Sequence, residues 1–158
     1  MTVNINLDTN IIDSLDLSSI KKMIAELPSD KAIAEYEQKL KFTINYQLSE
    51  TDPRELSEVP EIRLWFVRLD GMYPWLPFLL DWKTGELARY SAMLVPHQFS
   101  RSEGIIYNPE ALEIFVMQKI FILSDWLGER DIPSNFRLKS FAKLFGYEID
   151  DTFFDSLK

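Results

Sequence analysis

The chain of 158 residues has no cysteine and one histidine, His97. Without thiols it forms no disulfide, thiolate nucleophile, Cys-type zinc site or iron–sulfur cluster on its own ligands. A single imidazole also excludes His-rich metal centres. Carboxylates alone can hold Mg²⁺ or Ca²⁺, but the acidic loop SETDPRE lacks the glycine and ligand spacing of an EF-hand. Glycine is scarce, at 5 residues. GMYP and KTGE each place one glycine in a turn and match neither a P-loop nor a dinucleotide fingerprint. No cofactor is implied. There is no basic excess: the net charge is −8, which argues against nucleic acid as a partner. Long apolar runs are missing too. IFVM and WLPFLL fall far short of the roughly 20 residues of a membrane span. The start, MTVNINLDTN, has neither the basic region nor the apolar run of a signal peptide. The expectation is a soluble, intracellular protein.

What is present is a core. Hydrophobic residues make up 46% of the chain and aromatics 13%. A chain of this length buries about 68–70% of its unfolded surface, enough to stand without staples. No repeat, low-complexity stretch or linker divides it, so residues 1–158 are read as one globular domain. The charge is uneven. Residues 1–60 carry 11 acids and 6 bases, residues 61–105 carry 5 of each, and residues 106–158 carry 9 and 6. Four of the five bases in the neutral middle are arginine. Arginine and aromatic residues together are favoured at interface centres.

The spacing predicts an α+β fold. A short helix starts at Asp16 or Ser18, buries Ile20, Met23, Ile24 and Leu27, and ends at Pro28. Tyr36, Leu40, Phe42, Ile44, Tyr46 and Leu48 alternate with polar residues as a half-buried strand. EIRLWFVRLD, apolar on both faces, reads as a central strand. LPFLLDW and ELARYSAMLV read as a hairpin around KTG. VPHQFSRSEGIIYN reads as a long, functional connection. Asn108-Pro109-Glu110 starts a long helix that Gly128 stops. Pro133-Ser134 opens a second, with Leu138, Phe141, Leu144 and Phe145 inward and Gly146 closing it. Asp151 caps a last turn docked by Phe153, Phe154 and Leu157. The predicted architecture is an antiparallel sheet of about four strands, an N-terminal helix, and two or three C-terminal helices on one face.

Little of this is chemistry. His97 has Ser91, Ser100 and Ser102 near it in sequence, but none sits in a nucleophile elbow. Its plain reading is a hydrogen-bonded residue that fixes its loop. Glu110 and Glu113 share a helix face, where the dipole attracts acids in any case. Trp65, Trp75 and Trp82 are ordinarily core residues. Tyr73-Pro74-Trp75, however, lies in a predicted turn between Arg68 and Arg89, and the connection carrying His97, Phe99 and Arg101 borders it. Trp65, Arg68, Tyr73, Trp75, Trp82, Arg89, His97, Phe99 and Arg101 are therefore the candidate protein-binding residues. Alanine at Trp75 or Arg89 is expected to weaken binding and leave the fold intact.

RELSEVPEIRLWFVRLD, YPWLPFLLDW, GELARYSAMLVPHQFS and EGIIYNPEALEIFVMQKIFIL resemble the chlororespiratory reduction 6 family of cyanobacteria and chloroplasts, over roughly residues 53–127. The resemblance implies an assembly factor, not an enzyme. It places the protein in the cyanobacterial cytoplasm or chloroplast stroma. The implied client is iron–sulfur subunit I of the photosynthetic NAD(P)H dehydrogenase-like complex, a ferredoxin-like protein holding two [4Fe–4S] clusters. It implies no catalytic residues. A chain without cysteine would assist such a client by holding its polypeptide, not by donating clusters through its own ligands. Two other readings compete: a small enzyme using His97 with a nearby carboxylate, and a permanent structural subunit of the complex.

Overall fold

A computed structural model describes residues 2–27 and 32–157. Strand β1 (Val3–Asp8) buries Ile5 and Leu7 and pairs in parallel with β2 (Leu40–Asn45), Val3 opposite Leu40 and Asp8 opposite Asn45. Parallel strands need a crossover. Helices α1 (Thr9–Asp13) and α2 (Ser18–Ala25) lie within it. The Asp8 carboxylate caps α1 by accepting from the Ile11 amide at 2.8 Å. Asp16 accepts from the Ser18 amide at 2.9 Å, and that bond holds its carboxyl below the usual carboxylate range. The N-terminal helix thus forms where the sequence places it, and the period-2 run forms a strand over its centre, Leu40–Asn45, while Tyr36 ends a 3₁₀ turn, Ala32–Tyr36. The predicted stop at Pro28 lies outside the described residues.

The predicted four-stranded antiparallel sheet does not form. The described residues hold two two-stranded sheets, one parallel and one antiparallel. The central strand read in EIRLWFVRLD is helix α3 (Pro60–Met72). Pro60 stands at its first turn with Glu61 beside it, the same start signal as Asn108-Pro109-Glu110. Ile62, Trp65, Phe66 and Leu69 are buried, at i, i+3, i+4 and i+7. The helical period therefore accounts for the apolar set that looks two-faced when counted by twos.

The hairpin expected around KTG is also absent. Two 3₁₀ turns, Leu76–Phe78 and Trp82–Thr84, lead into α4 (Glu86–Leu94). Gly85 ends the second turn at φ +84°, a conformation that side chains with a Cβ rarely adopt. A single parallel bridge, Leu40 to Leu80, is the pairing this segment makes. The true hairpin lies in the predicted connection. There β3 (His97–Ser100) pairs antiparallel with β4 (Gly104–Tyr107), His97 opposite Tyr107.

The C-terminal half follows its sequence signals. Helix α5 (Pro109–Glu129) is capped by Asn108, whose side chain accepts from the Ala111 amide at 3.0 Å. It runs through Gly128 instead of stopping there. Helix α6 (Asn135–Leu144) is followed by Gly146 at φ +86°. Its Leu144, expected inward, is 54% exposed. Helix α7 (Asp151–Asp155) is capped by Asp150, not Asp151, and docks Phe154.

Buried side chains from β1 to α7 form one hydrophobic cluster. Its aromatic centre joins β2, α3 and α4: Phe42, Trp65, Phe66 and Tyr90 meet edge to face at centroid separations of 5.0–6.0 Å. Beside them Lys119 is buried, at 1% exposure. Its Nζ lies 2.5 Å from Asp70 Oδ1 and 3.0 Å from the Pro74 carbonyl. The Tyr90 hydroxyl donates to the same Asp70 oxygen at 2.7 Å. Three helices, α3, α4 and α5, are tied together at that carboxylate. Burial lowers the Lys119 pKa, with Asp70 opposing, and pushes that of Tyr90 well above its ordinary value.

Candidate protein-binding surface

Most of the nine sequence-predicted binding residues are structural. Trp65 is fully buried, and its indole N–H donates to the Asp16 carbonyl at 2.9 Å. Tyr73 packs edge-on against Trp75, whose indole stacks on Trp126 with centroids 4.8 Å apart and planes at 13°. Trp82 donates to the Pro77 carbonyl at 2.8 Å and packs against Phe141. Arg89 donates to the Phe42 carbonyl at 3.0 Å and pairs with Glu86 at 3.4 Å. A cluster centred on Tyr73-Pro74-Trp75 is therefore a packed corner of the core. These contacts bear on the expectation that alanine at Trp75 or Arg89 leaves the fold intact: each substitution removes packing or a hydrogen bond of the folded chain.

His97 anchors the hairpin. Its Nδ1 lies 2.9 Å from the Val95 carbonyl, which only accepts, so Nδ1 carries the proton. In the neutral ring Nε2 then accepts from Ser57 Oγ at 3.1 Å. Arg63 stands behind, donating to the Ser57 and Ala92 carbonyls at 2.9 and 3.0 Å. Phe99 meets the imidazole edge-on at 5.2 Å. None of the groups hydrogen-bonded to His97 among the described residues is a carboxylate. The pairing that the enzymatic reading requires is not made, and the hydrogen-bonded, loop-fixing reading of His97 describes its contacts.

Three predicted residues remain outward: Arg68, Phe99 and Arg101. Arg68 belongs to a surface that the strand reading conceals. Once EIRLWFVRLD is a helix, Leu64, Val67, Arg68 and Met72 share its outer face. Leu64 and Val67 are each 49% exposed and Met72 44%. Helix α5 adds Ile114, at 68%, and, about two turns further along, Phe121, at 47%. A cleft of about 360 Å³ lies between the helices, lined by Val67, Asp70, Pro96, Ile114, Phe115 and Gln118. Exposed apolar side chains on both helices beside a shared cleft are of the kind that marks a protein-interaction surface.

The chain matches the chlororespiratory reduction 6 family over residues 7–156, nearly its whole length. It belongs to that family. The match extends past the roughly 53–127 that carries the sequence resemblance, taking in the end of β1, all of β2 and all of α6 and α7. Membership in the chlororespiratory reduction 6 family is consistent with a role tied to the NAD(P)H dehydrogenase-like complex. Among the described residues no helix is long and apolar enough to cross a membrane. No solved structure matches the chain.

Proposed function

We propose that this protein is an assembly factor that transiently holds iron–sulfur subunit I while the hydrophilic arm of the photosynthetic NAD(P)H dehydrogenase-like complex is built, in the cyanobacterial cytoplasm or chloroplast stroma. The observation that carries this reading is the exposed apolar face of α3 and α5. Val67 and Ile114 flank its cleft, and Leu64 and Arg68 extend it. Such a face buries apolar surface of a client that its neighbouring subunits have yet to cover. Arg68, exposed on the same helix face, supplies one directed contact at its edge. The acidic remainder of the chain, at −8, steers a basic client toward the face and weakens non-productive association between copies.

Calorimetry with purified subunit I, in its apo and cluster-loaded forms and at two salt concentrations, tests the proposal. Micromolar or tighter binding is expected for one form, and that form places the factor before or after cluster insertion. Val67→Asp with Ile114→Asp should lose the binding while the circular dichroism spectrum is unchanged, because both side chains are about half exposed or more. No binding to either form overturns the client assignment. Binding that survives the double substitution overturns the face.

A further inference from the structure

The cleft between α3 and α5 has one charged group set into an apolar wall. Val67, Leu94, Pro96, Ile114 and Phe115 line it, and Asp70 is the only charged residue among the described residues that do so. Asp70 stands one helical turn after Val67 on α3, so the two share a face. Its side chain is 23% exposed. The donors on its Oδ1, Lys119 and Tyr90, are each 1% exposed. Oδ2 accepts no hydrogen bond among the described residues, and it is not buried. The carboxylate is thus divided. Oδ1 is committed to the core, and the accessible part of the side chain, on the cleft wall, is Oδ2 with its acceptor sites free.

This division selects an occupant. A side chain that fills the cleft displaces water from Oδ2, and an acceptor stripped of water is unfavourable unless a donor replaces it. The occupant must therefore carry a donor on an apolar body. Aliphatic side chains and phenylalanine lack the donor. Lysine and arginine have it, but the Lys119 ammonium, 2.5 Å from Oδ1, already neutralises Asp70. A second cation would give up its hydration against a pair with no net charge. A tyrosine hydroxyl would bring lone pairs of its own against apolar walls. An indole meets both conditions. It is large, flat and uncharged, and its N–H donates without accepting. The cleft, at about 360 Å³, has room for it.

We infer that the α3–α5 cleft takes a tryptophan side chain of the partner, with the indole N–H donating to Asp70 Oδ2 and the rings against Val67, Ile114 and Phe115. Asp70 is then the residue that sets specificity. Tyr90 and Lys119 are positioning residues: they hold Oδ1 and so fix the direction of Oδ2. This occupant rests on the reading of the cleft as the client-binding face, and names the side chain of the client that the cleft receives. Tryptophan is among the side chains enriched at the energetic centres of interfaces.

The test uses the full chain and three small probes: N-acetyl-tryptophanamide, its indole N-methyl derivative, which cannot donate, and N-acetyl-argininamide. Titrations are followed through the backbone amide shifts of Val67, Asp70 and Ile114. N-acetyl-tryptophanamide should saturate them with a dissociation constant on the order of a millimolar. Methylation should weaken binding roughly tenfold, because it removes the donor to a charged acceptor. The arginine probe should not bind. Asp70→Leu with Tyr90→Phe and Lys119→Met removes the acceptor together with both of its buried donors, and should bind the two indoles equally. The methylation contrast on the unaltered chain stands whether or not that variant folds. Equal affinity of the unaltered chain for both indoles overturns the inference. So does preference for the arginine probe, an absence of shifts at the cleft, or a folded triple variant that keeps the tenfold contrast. Failure of the client reading has a separate signature. The chain then discriminates between the indoles, which supports the tryptophan site, but binds subunit I in neither form.

Discussion

Glu86 accepts the Phe42 backbone N–H at 3.2 Å, while Arg89, one turn along α4, donates to the Phe42 carbonyl at 3.0 Å. Both backbone groups face the side of β2 away from β1. Two residues earlier, Leu40 donates to the Leu79 carbonyl at 2.8 Å and accepts from the Asp81 amide at 3.0 Å. The outer edge of a two-stranded sheet is thereby closed by side chains and by one loop. An open edge would offer the same groups to another chain.

Arg89→Ala should therefore act on stability. It strips a partly buried carbonyl of its donor and leaves the Glu86 carboxylate, in a residue only 9% exposed, with one partner fewer. A loss of about 1–2 kcal/mol is expected in urea titration. Binding of subunit I, measured under conditions where the variant is folded, should not change.

Trp75→Ala removes an indole stacked on Trp126 and packed against Tyr73. The expected loss is about 3 kcal/mol, at the lower end for large aromatic deletions because Trp75 is only partly buried. Denaturant midpoints decide this. A variant as stable as the wild type, but deficient in client binding, would restore Trp75 as a contact residue.

Asp70 and Lys119 should behave as a unit. Asp70→Ala leaves the buried Lys119 ammonium without its counter-ion and should cost about 3–5 kcal/mol. Asp70→Ala combined with Lys119→Met removes both charges. It should recover much of that loss, because the flexible methionine occupies a similar volume without a charge to desolvate. A double-mutant cycle gives the coupling directly.

Tyr90 makes stability fall at alkaline pH. Burial, with Asp70 adding to it, holds its pKa well above the ordinary 10.0. The folded state keeps a proton that the unfolded state releases. The contribution is therefore whole below pH 10.0 and is lost as pH rises above it. Lys119, lowered from 10.5 by burial, gives the opposite slope just below that value. Subtracting the stability of Tyr90→Phe at each pH cancels the lysine. The difference should decline above about pH 10 and stay flat from about pH 7 to 9.

The sequence was most legible where local signals were complete. Asn108-Pro109-Glu110 begins α5 as read, and Leu40–Asn45 is a strand with Leu40 and Phe42 buried. It was misread where a run was apolar on both faces. EIRLWFVRLD satisfies a strand count by twos, yet Pro60-Glu61 at its start repeats the Pro109-Glu110 first turn of α5, without the side-chain cap that Asn108 gives. The helix turns Trp65 fully inward, and beyond its end Trp75 stacks on Trp126. The same rotation exposes Leu64 and Val67, which no strand reading marks.

Composition and local pattern by themselves determined that this chain has no thiol chemistry, an α+β character, its C-terminal helices and its family. Periodicity and capping act within a few residues, and family motifs are read residue by residue. Only the tertiary structure decided that β1 and β2 run parallel, that Glu86 and Arg89 close the sheet edge, and that Lys119 is buried against Asp70. Those arrangements join residues separated by 37 to 49 positions. Which of them form depends on packing the whole core at once, and a periodicity does not encode it.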